Sequence, residues 1–227
     1  MANTLPSPTM GFQSFQRMDG GSPTAGMTPV WIASTDASLI FRGDPIVTSS
    51  AGGTNNSGAY ITAAASGNTL IRGIFQGCWQ YNPTAARVVW SNYYGGSVTG
   101  STGDVKAYII DDPEEMFIAF GSTGGTITSS YVGLNIGFTA NSSTGNTTLG
   151  YSNVQLQSTT AGSTSTYPFR IVDFYSAYAP GAGNGPVNYN SSVANPLING
   201  TDNSNVANIL VVRMNNCDRN NLTARSS

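Results

Sequence analysis

The chain has 227 residues, 39% of them hydrophobic and only 9% charged, with a formal net charge of −2, a single lysine and no histidine. Soluble domains carry about 25% charged residues, and eight singly scattered arginines cannot build the clustered cation that phosphate binding requires. Nucleic acid and anionic membrane are therefore excluded as main partners, and the lack of histidine and of a CxxC pair excludes a structural zinc site. Ser, Thr, Asn and Gly take the place of charge, so the expected surface is nearly neutral, rich in hydrogen-bonding groups and suited to lying against another protein.

Residues 1–30 are proline- and glycine-rich, with large apolar side chains standing singly at Met10, Phe12, Phe15 and Met18. Such a stretch cannot close a core of its own, and its spaced apolar groups suit an extended N-terminal arm laid on a neighbouring surface. It has no charged region leading into an apolar one, and no run in the chain approaches the roughly 20 apolar residues that span a bilayer. Neither export nor membrane insertion is expected.

From Trp31 onward, short runs rich in Val, Ile, Phe, Tyr and Trp alternate with loops of Gly, Ser, Thr and Asn. The runs are Val30–Ser34, Ser38–Arg42, Pro45–Ser49, Thr69–Tyr81, Arg87–Tyr93, Val105–Asp111, Met116–Phe120, Val132–Phe138, Ser152–Leu156, Phe169–Ser176 and Asn208–Asn215. Several alternate with period two, as half-buried strands do. The pattern predicts an all-β domain over 31–227, a β-sandwich or barrel with jelly-roll-like connections. A long loop insertion at 177–206 is expected to make a contact, since loops of that length usually serve function or a partner.

Asp112-Pro113-Glu114-Glu115 carries the signals of a helix start, but only MFIAF follows before Gly121. That is too short and too β-prone for a helix, so a tight turn feeding a strand is expected. Asp111, Asp112, Glu114 and Glu115 form the one acidic cluster. Glycoside hydrolysis would need a second carboxylate about 5 to 9.5 Å away, from Asp44 or Asp173, whereas a solvated turn capped by Asp112 needs nothing further. Calcium-loop spacing is absent.

A serine or cysteine nucleophile would lack its usual histidine base. Lys106 lies in a strand-like run and reads as an exposed or snorkelling side chain. The glycine-rich loops lack phosphate-binding spacing. Catalysis is not expected, nor is any cofactor or metal. Cys78 and Cys217 read as two buried thiols.

Trp79, Tyr81, Trp90, Tyr93 and Tyr94 are close in sequence. Core packing is the expectation for the two tryptophans, while Tyr93 and Tyr94 fall at a strand end where either burial or sugar stacking is open.

The series IASTDASLIFRGDPIV, NTLIRGIFQGCWQYNP, VVWSNYYGG, DVKAYIIDDPEEMFIAF, PFRIVDFYS and ILVVRMN, in this order between Ile32 and Asn215, resembles capsid decoration (cement) proteins of tailed, particularly short-tailed, bacteriophages. The resemblance implies a virion structural protein on the capsid exterior, assembled in the host cytoplasm. It would bind the phage major capsid protein and copies of itself as a homo-oligomer, with a trimer expected. Phe12, Phe15 and Met18 are the expected anchors, and Tyr93, Tyr94 and Asp112 the secondary contacts. The alternative is a glycan- or receptor-binding virion module, such as a head fibre or tail component.

Overall fold

Strand-forming runs this short bury their apolar side chains by pairing, and most of the strands here pair with partners distant in the chain. The computed structural model describes residues 10–23, 26–50, 58–67, 69–96, 103–122, 125, 127–139, 145–175 and 209–220. Within them lie β1 (Gln13–Arg17), β2 (Thr28–Ile32), β3 (Leu39–Phe41), β4 (Pro45–Thr48), β5 (Ile61–Ala63), β6 (Gly73–Asn82) and β7 (Arg87–Ser91). The remainder are β8 (Tyr93–Gly95), β9 (Val105–Ile110), β10 (Glu115–Phe120), β11 (Asn135–Phe138), β12 (Leu156–Gly162), β13 (Phe169–Phe174) and β14 (Ile209–Met214). One 3-10 turn, Ser129–Tyr131, is the sole helical element among the described residues. The protein is all-β.

Three antiparallel sheets result. The first runs β1-β10-β14-β13-β11-β12. It curls until Gly121, just past β10, bridges Leu156 at the start of β12, with Ser122 N–H donating to the Leu156 carbonyl at 2.7 Å. The second runs β2-β9-β6-β4-β5, with β7 on the far half of β6. It curls in the same manner, Trp31 of β2 bridging Tyr60 beside β5. Bringing sheet ends together in this way protects backbone groups that an open edge would leave unpaired. The third sheet is a ribbon of β3 and β8.

Each curled sheet surrounds its own core. One holds Phe117, Ile136, Phe138, Leu156, Phe169, Ile171, Leu210 and Val212. The other holds Val30, Ile32, Ile46, Ile61, Phe75 and Ile109, covered by Ile40 and Tyr94 from the ribbon. Each such side chain contributes about 1.5–3 kcal/mol when fully buried. Successive residues of β6 and β9 serve both: Ile74 and Ile110 enter the first core, Phe75 and Ile109 the second. Consecutive strand residues point to opposite faces, which makes this possible.

The stretch expected as an arm departs from that expectation from Met10 onward. Gln13–Arg17 pairs with β10, and Thr28–Ile32 pairs with β9. Phe12 is fully buried, stacked on Phe169 at 4.3 Å between ring centroids. Its ring gains more in the core than on a neighbouring surface, and two glycines let the backbone come close enough. Gly11 (φ +57°) and Gly43 (φ +90°) flank a Phe12 N–H to Gly43 carbonyl bond of 2.9 Å, and a side chain on Gly43 would lie 2.9 Å from the Phe12 nitrogen. Residues 1–9 and the 177–206 insertion lie outside the described residues.

Candidate functional site

The Asp112 turn forms as its sequence suggests. Asp112 Oδ1 accepts from Glu114 N–H at 3.0 Å, and Pro113 and Glu114 lead directly into β10. Asp112 Oδ2 also holds Arg17 Nη1 at 2.6 Å, fixing the end of β1 against the turn. Met18 N–H donates to the Glu114 carbonyl beside it. The structure therefore brings Phe15, Met18 and Asp112 to one edge of the first sheet, where Phe15 is 36% and Met18 44% exposed. Phe15 meets Tyr175 edge to face at 5.4 Å, and Arg213 donates to the Met18 sulfur.

The other acidic groups of the cluster differ from the expected solvated turn. Asp111 is buried, accepting from Thr28 Oγ1 (2.7 Å) and Arg219 Nε (3.0 Å) and ion-paired with Arg72 Nη2 (3.2 Å). Glu115 is buried too and accepts from Ser14. Asp44, a candidate second carboxylate, is enclosed between Phe41 N–H and the Ser152 hydroxyl. Asp111 and Asp44 are thereby committed to holding chain segments together, while Glu115 keeps one buried oxygen, Oε2, without a hydrogen-bond partner among the described residues.

Phe12 is corrected as an anchor, because its ring lies wholly inside the first core. Tyr94 is corrected as a surface contact for the same reason: it is buried in the second core, and its hydroxyl donates to the Asp36 carbonyl at 2.8 Å. Burial, reinforced by the Asp36 charge, pushes its phenol up to about 12. Tyr93 is half-buried and stacks on Phe41 at 5.6 Å. These two tyrosines sit on the β3–β8 ribbon, apart from the Phe15 and Met18 edge. Both cysteines are buried free thiols, and burial raises Cys78 to about 12.

The tryptophans reverse their expected placement. Trp79 is 45% and Trp90 39% exposed. Plain alternation would put Trp79 on the same face as core residue Phe75. A bulge between Phe75 and Gly77 inserts one residue, so Cys78 turns inward and Trp79 outward. Trp90 lies directly opposite Trp79 in register and shares its face. Lys106 is opposite Trp79 on the other side, and Trp31 is opposite Lys106. Tyr108 is opposite Gly77.

Gly77 (φ +151°) lets the Trp90 indole lie down across β6, since a side chain there would fall 2.4 Å from Trp90 Cζ2. The indole thus bridges Trp79, in an edge contact at 5.6 Å, and Tyr108, tilted at 5.6 Å. Lys106 Nζ lies 5.7 Å from the Tyr108 ring centre. At its far end, this same sheet face is covered where Ile74 and Ile110 enter the first core. The aromatic patch is the part of that face where Trp79, Trp90 and Lys106 stay exposed.

No family model, curated protein or solved structure matches the chain.

Proposed function

We propose that the chain is a virion structural protein that decorates and cements the exterior of a tailed-phage capsid, binding the major capsid protein and associating with its own copies as a trimer. The observation that carries the reading is the edge formed by β1 and the Asp112 turn, where Phe15 and Met18 stand exposed on a chain with few charges to desolvate. Large apolar groups beside an edge strand favour association, and scarce charge lowers the cost of burying the surrounding surface. Repeated around a closed shell, modest contacts of this kind act together. The committed carboxylates and the lack of histidine support adhesion rather than catalysis as the role.

The test is attachment of purified protein to heads that lack it, followed by cryo-electron microscopy of the particles. Wild type is expected to occupy defined positions on the shell, and a Phe15→Ser/Met18→Ser variant to lose occupancy while remaining folded. Full occupancy by the variant, or none by wild type, would overturn the reading. A second reading, a glycan- or receptor-binding virion module, is favoured by the exposed Trp79 and Trp90.

A further inference from the structure

The patch on β6, β7 and β9 combines three properties. Its rings are held in place from below, its chemistry is aromatic, and the chain's single lysine stands in its midst. Trp90 rests on the Gly77 backbone and is braced by Trp79 on one side and Tyr108 on the other. Its Nε1–H donates to Asn92 Oδ1 at 3.3 Å, which fixes the ring's rotation. A ring lying on backbone with its other side toward solvent is a stacking platform, because the electron-rich face attracts the weakly positive C–H groups of a sugar ring.

Charge decides which sugar. Lys106 sits between Trp79 and Trp31 in register, within one strand spacing of each. It has no ion-pair partner among the described residues, and the strand positions sharing its face (Pro29, Trp31, Tyr108, Gly77, Trp79, Tyr81, Val88 and Trp90) include no acidic side chain. Asp104, two residues before Lys106 and just outside β9, is held instead by Ser34 N–H at 3.0 Å and the Tyr60 hydroxyl at 2.6 Å. Elsewhere in the fold, Arg17, Arg72 and Arg219 are all engaged by aspartates. An unneutralised cation within an aromatic surface complements a ligand that is itself part apolar plane and part anion.

We infer that the exposed face built by Trp79, Trp90, Lys106 and Tyr108 binds a carboxylated saccharide, with the sugar ring stacked on the Trp90 platform and its carboxylate received by Lys106. This rests on the glycan-binding reading and adds to it the class of ligand. A protein partner is the less favoured occupant, since the isolated charge would be buried without a designated acid, at the cost of its desolvation.

The test is titration of the full chain with oligogalacturonate and with sialyllactose, each against its uncharged counterpart, followed by intrinsic tryptophan fluorescence and calorimetry. Trp90→Ala and Lys106→Met are the variants, their folding checked by thermal melting. Expected are selective binding of the acidic sugars, loss of binding in Trp90→Ala, and about tenfold weaker binding in Lys106→Met, the order of one hydrogen bond to a charged group. Equal binding of neutral and acidic sugars, unaffected by Lys106→Met, would overturn the acidic assignment and leave the glycan-binding reading standing. No binding of any sugar would overturn both. Concentration-dependent dimerisation of wild type abolished by Trp90→Ala would overturn the inference by showing that a second copy covers the face.

Discussion

The Phe12 ring lies over the Phe169 ring with centroids 4.3 Å apart and planes inclined by 16°, joining the N-terminal segment to a strand of the first core. Phe138 meets the other edge of Phe169 at 6.1 Å. Truncating Phe12 to alanine is expected to lower stability by about 3–5 kcal/mol, the range for a large aromatic removed from a core that cannot fully collapse. Phe15→Ala, three positions along and 36% exposed, is expected to cost about 1 kcal/mol. Urea denaturation of the two variants checks the contrast.

Asp111 ties the β9–β10 turn to two distant segments, receiving Arg72 from before β6 and Arg219 from beyond β14. Asp111→Ala leaves Arg72, a partly exposed side chain, with Asp218 at 3.9 Å as its remaining acid partner among the described residues. The expected loss is about 3 kcal/mol, the low end for a broken buried pair. Arg219→Ala is expected to cost much less, because that side chain is half exposed and Arg72 and Thr28 still satisfy the carboxylate. Denaturant midpoints for both variants test the asymmetry.

Alkali should weaken the fold through the second core. Burial raises the Cys78 thiol from 9.0 and the Tyr94 phenol from 10.0, each to about 12. In both, the folded chain holds the proton more tightly than the unfolded chain. The resulting stability is complete below the unfolded values and is lost as pH climbs from about 9 toward 12. Denaturation midpoints between pH 8 and 11.5 should fall, and Cys78→Ala should flatten the earlier part of that fall. At neutral pH the thiol is expected to resist alkylation until the protein is unfolded.

Gly77→Ala places a methyl group 2.4 Å from the Trp90 ring, at a backbone angle that disfavours any side chain. The ring must lift from β6. The expected result is a destabilisation of about 1–3 kcal/mol and a shift in tryptophan emission, read by thermal melting and fluorescence.

Much of the strand content was legible in the sequence, because Val, Ile and aromatic runs bounded by glycine-rich loops leave little alternative to extended chain. Val105–Asp111 and Met116–Phe120 fall nearly on β9 and β10, and the Asp112 turn joins them as its capping chemistry suggests. What local pattern could not reveal was partnership. Gln13–Arg17 has no strong β signal, and it becomes a strand because β10, about a hundred residues on, offers its edge. The misplacement of Trp79 comes from one inserted residue at Gln76 and Gly77, which inverts the alternation midway along β6. Glycine at 77 was the visible trace of that bulge. The burial of Asp111 likewise depended on arginines supplied from remote points in the chain, beyond the reach of any local motif.

Because Ile74 and Phe75, and again Ile109 and Ile110, face opposite ways from the same two strands, neither hydrophobic centre can open without tearing away part of the lining of the other. Heating should therefore melt the described body in one step, with calorimetric and van't Hoff enthalpies in agreement. A force applied at one surface would be shared by both halves before either yields.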